Sequence, residues 1–111
     1  MEEGKIILFA FPQDKENKLR PAFVLRKFPK YGDFLICGIT SRSHQLNDDM
    51  GIWVSEAHPD FKISGFKKPS VVRLDMLITV SEEYLKGSIG ELSNETHYKL
   101  LQKLADYLIA N

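Results

Sequence analysis

The sequence holds one cysteine, Cys37, so no disulfide can form within the chain; inside the apolar run FLICGIT that thiol reads as a small hydrophobe. His44, His58 and His97 are too scattered for a metal site, and a single cysteine cannot build a structural zinc centre. We therefore expect no metal and no other cofactor. The seven glycines stand singly, which excludes the glycine-rich phosphate loop of a nucleotide site. Long hydrophobic runs are missing too: IILFAF stops at Pro12, far short of the roughly 20 residues of a membrane span. The acidic start MEEGK does not read as an export signal, so a cytoplasmic protein without a membrane partner is expected. Net charge is also absent, because Lys+Arg and Asp+Glu both number 15.

What remains is a chain of 111 residues, 43% hydrophobic, suited to a single domain over 1–111 with one core. Its charge is unevenly spread. Residues 15–30 carry six basic side chains (Lys15, Lys18, Arg20, Arg26, Lys27, Lys30) against the single acid Glu16. Such a local excess can hold phosphates on a neutral protein, although a solvated strand pair with lysines on its outer face gives the same pattern.

Three segments rich in β-branched and aromatic residues, KIILFAF (5–11), AFVLRKF (22–28) and DFLICGIT (33–40), are separated by turn-prone PQDKENK and PKYGD. This pattern predicts consecutive antiparallel strands. Their apolar residues do not alternate with polar ones, which implies burial on both faces and a closed barrel, or a sheet covered by another element or subunit. Residues 41–60 read as a long polar loop with a short strand at 51–54, and a loop of that size is a candidate for substrate or partner contact.

Regularity returns at SVVRLDMLITV (70–80), where Val72, Leu74, Met76 and Ile78 are predicted to face one way and Val71, Arg73 and Asp75 the other. An Arg and Asp so placed commonly form a surface ion pair. Ser81 can cap a single helical turn that Gly87 closes. Ser93 is the expected N-cap of an amphipathic C-terminal helix with Leu100, Leu101, Leu104, Ala105 and Leu108 on one stripe. His97, near its start, is expected to be structural, whereas His44 and His58 in the loop could act as acid or base. Trp53, Phe61 and Phe66 offer stacking faces for unpaired bases or, for at least two of them, core filling.

The order GKIILFAFP, RPAFVL, a strand ending in GITS, then KPSVVRLDML, GSIGELS and a closing amphipathic helix resembles the PemK/MazF family of toxins of type II toxin–antitoxin systems. The likeness runs from Gly4 to Leu108 and is weakest over 42–62, and Lys5 stands where the family usually has an acid. It implies a mainly β, α+β fold: a small SH3-like barrel of antiparallel strands with the 41–60 loop and the C-terminal helix, usually as a homodimer. It further implies a metal-independent endoribonuclease that cuts single-stranded mRNA at short sequences, and a cognate antitoxin protein.

Carried over residue by residue, the resemblance places the family's RP arginine on Arg20 and the hydroxyl ending the third strand on Thr40, with Ser41 beside it. Arg73 and Asp75 fall where some members have a second catalytic pair. Cleavage by the substrate's own 2′-hydroxyl needs charge stabilised on the phosphorus centre and protons moved at two oxygens. Arginine presents a permanent cationic fork to phosphate, hydroxyls donate hydrogen bonds, and Asp75 is a candidate base. Lys18, Arg26, Lys27, Arg42, His44, Lys67 and Lys68 are the expected RNA-binding residues. A barrel that kept the fold but only binds, and a gyrase-directed toxin on the same scaffold, are the competing readings.

Overall fold

The early apolar runs form β1 (Lys5–Phe9), β2 (Arg20–Lys27) and β3 (Phe34–Thr40), each ending where turn chemistry takes over. The structure is a computed structural model that describes residues 1–46 and 49–110; positions 47 and 48, inside the expected loop, and 111 lie outside the described residues. Between β1 and β2 the chain turns twice, with the Asp14 N–H on the Phe11 carbonyl and the Asn17 N–H on the Asp14 carbonyl, both at 3.0 Å. The segment 41–60 is subdivided by one helical turn at Ser43–Gln45 and by β4 (Gly51–Val54), the short strand expected there.

Helix α1 (Phe61–Ser64), β5 (Ser70–Val80), β6 (Lys86–Glu91) and α2 (Asn94–Ile109) complete the fold. The six strands form one antiparallel sheet in the order β4-β5-β3-β2-β1-β6. The mainly β, α+β class with its C-terminal helix is thus as the sequence indicates. Among the described residues no ladder joins the edge strands β4 and β6, so the strands form an open sheet rather than a hydrogen-bonded closed barrel. Helix α1 lies on β6, backbone against backbone: a Cβ on Gly90 would collide with the Ser64 carbonyl, and one on Gly65 with the Ile89 carbonyl. Gly65 also ends α1 in the left-handed region at φ 76°, which glycine adopts without strain. Among the described residues no helix is long and apolar enough to cross a membrane.

Both faces of β1–β3 are buried, as their unbroken hydrophobicity implies. One face packs Ile6, Phe23, Leu25, Cys37 and Ile39 against Val72 and Leu74 of β5 and Leu100 and Leu104 of α2. The other packs Ile7, Phe9, Ala22, Val24, Phe34 and Ile36 against Val80 and Leu85. The chain covers this second face itself, so burial of these strands does not by itself call for a partner subunit. The cover comes from a bend in β5. Its pairing with β3 jumps from Gly38↔Arg73 to Cys37↔Leu77, leaving residues 74–76 as a bulge. The expected common face of Val72, Leu74, Met76 and Ile78 therefore splits: the first two enter one core, while Met76 and Ile78 pack on the other.

Helix α2 begins where predicted, with Ser93 Oγ accepting the Thr96 N–H at 3.2 Å. Asp60, only 4% exposed, completes this cap: its Oδ2 accepts the Ser93 N–H at 2.9 Å and the Ser93 hydroxyl at 3.0 Å. Burial pushes the Asp60 carboxyl up, but hydrogen bonds from Thr96 and from both Ser93 groups outweigh it and leave it below its ordinary value. The expected apolar stripe is shorter than the helix. Leu100 and Leu104 are buried and Leu101 packs against the same core, whereas Ala105 and Leu108 are exposed.

Candidate functional site

Antiparallel pairing brings four strand ends to one edge of the sheet. The end of β1 meets the start of β2 (Phe9↔Arg20), and the end of β3 meets the start of β5 (Thr40↔Val71). Between them lies a groove of about 740 Å³, walled on the far side by residues 65–68 that follow α1. Arg20, Arg42, Lys67, Lys68 and Arg73 line it, with Asp14 as the one carboxylate among the lining residues. On a chain with no net charge, this excess of four positive charges is a local field suited to an anion.

Arg20 opens β2 because Pro21 behind it disfavours helix and holds it extended. Its side chain, half exposed, donates from Nε to Asp14 Oδ2 at 2.8 Å. Asp14 in turn accepts the Glu16 N–H on Oδ1 at 3.0 Å, a local turn that fixes the carboxylate. The Arg20 hydrogen bond first, then that of Glu16, holds the Asp14 carboxyl below its ordinary value. Arg20 is thus paired to an acid within the groove itself.

Thr40 ends β3, and its Oγ1 accepts the Arg42 N–H at 3.2 Å, leaving the hydroxyl hydrogen available as a donor. Ser41 lines the groove beside it. Arg73 makes the fork anticipated with Asp75, Nε to Oδ1 at 2.9 Å and Nη2 to Oδ2 at 3.3 Å, and its Nη1 donates to Gln45 Oε1 at 3.2 Å. Asp75 itself is turned to this fork and does not line the groove.

The expected RNA-binding residues divide. Arg42, Lys67 and Lys68 line the groove, whereas Lys18 and His44 do not. Lys18 pairs with Glu16 at 2.6 Å, and His44 is exposed on the Ser43–Gln45 turn. Arg26 and Lys27 sit at the opposite end of β2, about 20 Å from Arg20 at roughly 3.3 Å per residue. There Arg26 pairs with Glu3 at 3.3 Å, and the Lys27 ammonium stands 5.6 Å from the Phe34 ring centre. His58 and His97 serve the scaffold: His58 Nδ1 accepts the Asp60 N–H at 3.0 Å, and His97 Nε2 contacts the Leu25 carbonyl at 2.7 Å. Phe66 is buried and Phe61 packs on the core, while Trp53 is half-buried in β4. Among the described residues no group of three or more His, Cys, Asp or Glu side chains converges as metal ligands.

Among the lining residues that sequence reasoning did not single out, Asp14 and Gln45 are the two that hold the groove's Arg20 and Arg73. Asp14 was hidden in the turn PQDKENK, where its spacing to Glu16 marks an Asx turn; Gln45 carried no signal, because its role depends on Arg73, 28 residues away.

A sequence model of the family described as PemK-like, MazF-like toxin of type II toxin–antitoxin systems matches residues 2–108. No curated protein sequence matches the chain. Solved structures share the fold. A Mycobacterium tuberculosis toxin, MazF-mt6, is 20% identical with a TM-score of 0.71, over 96% of this chain and 98% of its own. A further Mtb toxin of known structure is 21% identical with a TM-score of 0.66, over 92% of this chain and 98% of its own. A mycobacterial endoribonuclease in complex with its cognate antitoxin is 17% identical with a TM-score of 0.68, over 97% and 94%.

Proposed function

Because the chain belongs to the PemK-like, MazF-like family of type II toxin–antitoxin toxins, we propose that it is a sequence-specific, metal-independent endoribonuclease acting on single-stranded mRNA in the cytoplasm. The observation that carries this reading is the groove: five cations gathered around Thr40 and Ser41 on a chain of zero net charge. A polyanion threaded there exchanges its counterions for these side chains.

In the proposed reaction the substrate 2′-oxygen attacks the adjacent phosphorus and the bond to the 5′-oxygen breaks, leaving a cyclic phosphate and, with a proton taken up from solvent water, a 5′-hydroxyl. Arg20 clamps the charge developing on the phosphoryl oxygens, and the hydroxyls of Thr40 and Ser41 donate to the same oxygens. To do so Arg20 exchanges Asp14 for phosphate. Once Arg20 has moved to phosphate, Asp14 loses the hydrogen bond that most lowers its carboxyl and is the groove-lining candidate to accept the 2′-proton, whereas Asp75 is committed to Arg73. By analogy with the neighbour solved with its antitoxin, a cognate antitoxin with an acidic segment would occupy the same cationic groove. A homodimer is part of this reading and is supported by the exposed Tyr107, Leu108 and Ile109 at the end of α2; light scattering at micromolar concentration should give twice the 12.7 kDa monomer mass.

The test is incubation with a long unstructured RNA in EDTA, mapping new 5′ ends by primer extension, with Arg20→Ala in parallel. Discrete cuts that vanish in the variant are expected. Equal cutting by Arg20→Ala would overturn the assignment of Arg20, and no cutting by folded wild type would favour a non-catalytic binding module or a gyrase-directed toxin.

A further inference from the structure

Arg73 is held as a fork on Asp75 with one further N–H on Gln45, and this arrangement fixes what Gln45 can offer the groove it lines. An arginine carries only donors, so the Gln45 atom facing Nη1 must be the carbonyl oxygen. Flipping the amide would lose a charge-assisted hydrogen bond and set donor against donor. Among the described residues the Nε2 end, with two N–H groups, meets no acceptor and is left for a ligand. An unconstrained glutamine reads adenine by accepting from N6 and donating to N7 together. In Gln45 the arginine takes one of the two lone pairs of Oε1 and turns that oxygen toward itself, so the amide's orientation is fixed with the Nε2 donors as its leading end.

Donors alone complement a base edge that presents carbonyl oxygen: O4 of uracil, or O6 with N7 of guanine. Adenine and cytosine set an amino group at the equivalent position. The geometry points to Gln45 as a specificity-determining residue that selects a keto base, uracil or guanine, at one position of the RNA substrate, with Arg73 and Asp75 as positioning residues that orient its amide. Unpaired bases in a single strand expose these edges, which is the substrate state that sequence-specific proteins read. The inference rests on the RNA reading above, and its test separates the two.

The full-length protein is incubated in EDTA with a randomised RNA library and the cut sites are sequenced, for wild type, Gln45→Glu and Arg73→Leu. Glutamate is the informative replacement because one carboxylate oxygen keeps the Arg73 partner while the other presents an acceptor, and thermal melts establish that each variant is folded. Wild type should favour a keto base at one position on the order of tenfold. Gln45→Glu should reverse that single position toward adenine or cytosine and leave the others alone. Arg73→Leu, by freeing the amide, should abolish discrimination there; loss of turnover with an unchanged base profile would instead make Arg73 catalytic and refute its positioning role.

An unchanged profile in folded Gln45→Glu overturns the inference and leaves the nuclease reading standing. Should wild type not cut, fluorescence anisotropy with labelled oligo(U) and oligo(A) applies the same criterion to binding: a preference for oligo(U) that Gln45→Glu inverts supports the assignment, and a preference the variant leaves unmoved refutes it. Failure of wild type to bind either strand refutes both the function and the inference.

Discussion

Replacing Asp60 should cost more stability than any surface charge change. This side chain is buried and accepts hydrogen bonds from the Ser93 N–H and the Ser93 hydroxyl, so it ties the segment before α1 to the start of α2. A hydrogen bond to a charged group contributes roughly 1.5–3 kcal/mol, but two on one carboxylate do not add fully, so Asp60→Ala should lose about 3 kcal/mol. Asp60→Asn keeps one carbonyl acceptor and should lose about 1–2 kcal/mol. Against a total of roughly 5–15 kcal/mol for a domain, the Ala variant is substantially weakened. Urea unfolding followed by the fluorescence of Trp53, the one tryptophan, measures both. The pH dependence gives a sharper test. Because the folded carboxyl lies below its ordinary 3.8, its contribution is complete above that pH and is lost as pH falls through the folded value. The gap between wild type and Asp60→Asn should therefore close in acid. A gap that persists there, or a loss under about 1 kcal/mol for Asp60→Ala at neutral pH, would refute the cap as the origin of the effect.

RNA affinity should fall with salt, and Lys67→Ala or Lys68→Ala should each reduce the log–log slope by about 0.7, whereas Lys27→Ala, at the far end of β2, should leave it unchanged; equal effects at all three would remove the groove as the binding surface. Gly90→Ala should destabilise by about 1–3 kcal/mol or more in the same urea assay, since its methyl meets the Ser64 carbonyl; a neutral result would mean that α1 does not rest on β6. Cys37 is fully buried and burial pushes its thiol up, so iodoacetamide should leave it unmodified in the native protein and alkylate it in urea; rapid native labelling would count against its place in the core.

How far the sequence reaches differs by element. The runs that became β1, β2 and β3, the strand at 51–54, the Ser93 cap and the start of α2 were legible because each combines local propensity with burial. Strand β6 was not: KGSIGE holds two glycines and a single large hydrophobe, and as a mostly exposed edge it has no alternation to read. Helix α1, at four residues, is barely one turn and too short for a repeat to show, and the bend in β5 depends on its pairing with β3. At the site, Arg20 was marked by the proline behind it, and the Arg73–Asp75 pair by alternation. The division of the basic residues between groove and far end follows from antiparallel geometry, which charge counting along the chain does not see. Gln45 shows the limit, since its chemistry is assigned by a partner from another strand.

The peptide-to-peptide seat of α1 on β6 has a consequence for the groove. Phe66, Lys67 and Lys68 leave directly from Gly65, so the position of that wall relative to β1 and β2 is set by main-chain atoms, with no side chain interposed. The aperture is then a property of the scaffold that substitutions along the wall cannot widen, while the long lysine and arginine arms across it remain free to vary in reach and charge. A substrate meets a slot of fixed gauge with adjustable lining, so new recognition sequences can arise by exchanging side chains without disturbing how α1 is seated on the sheet.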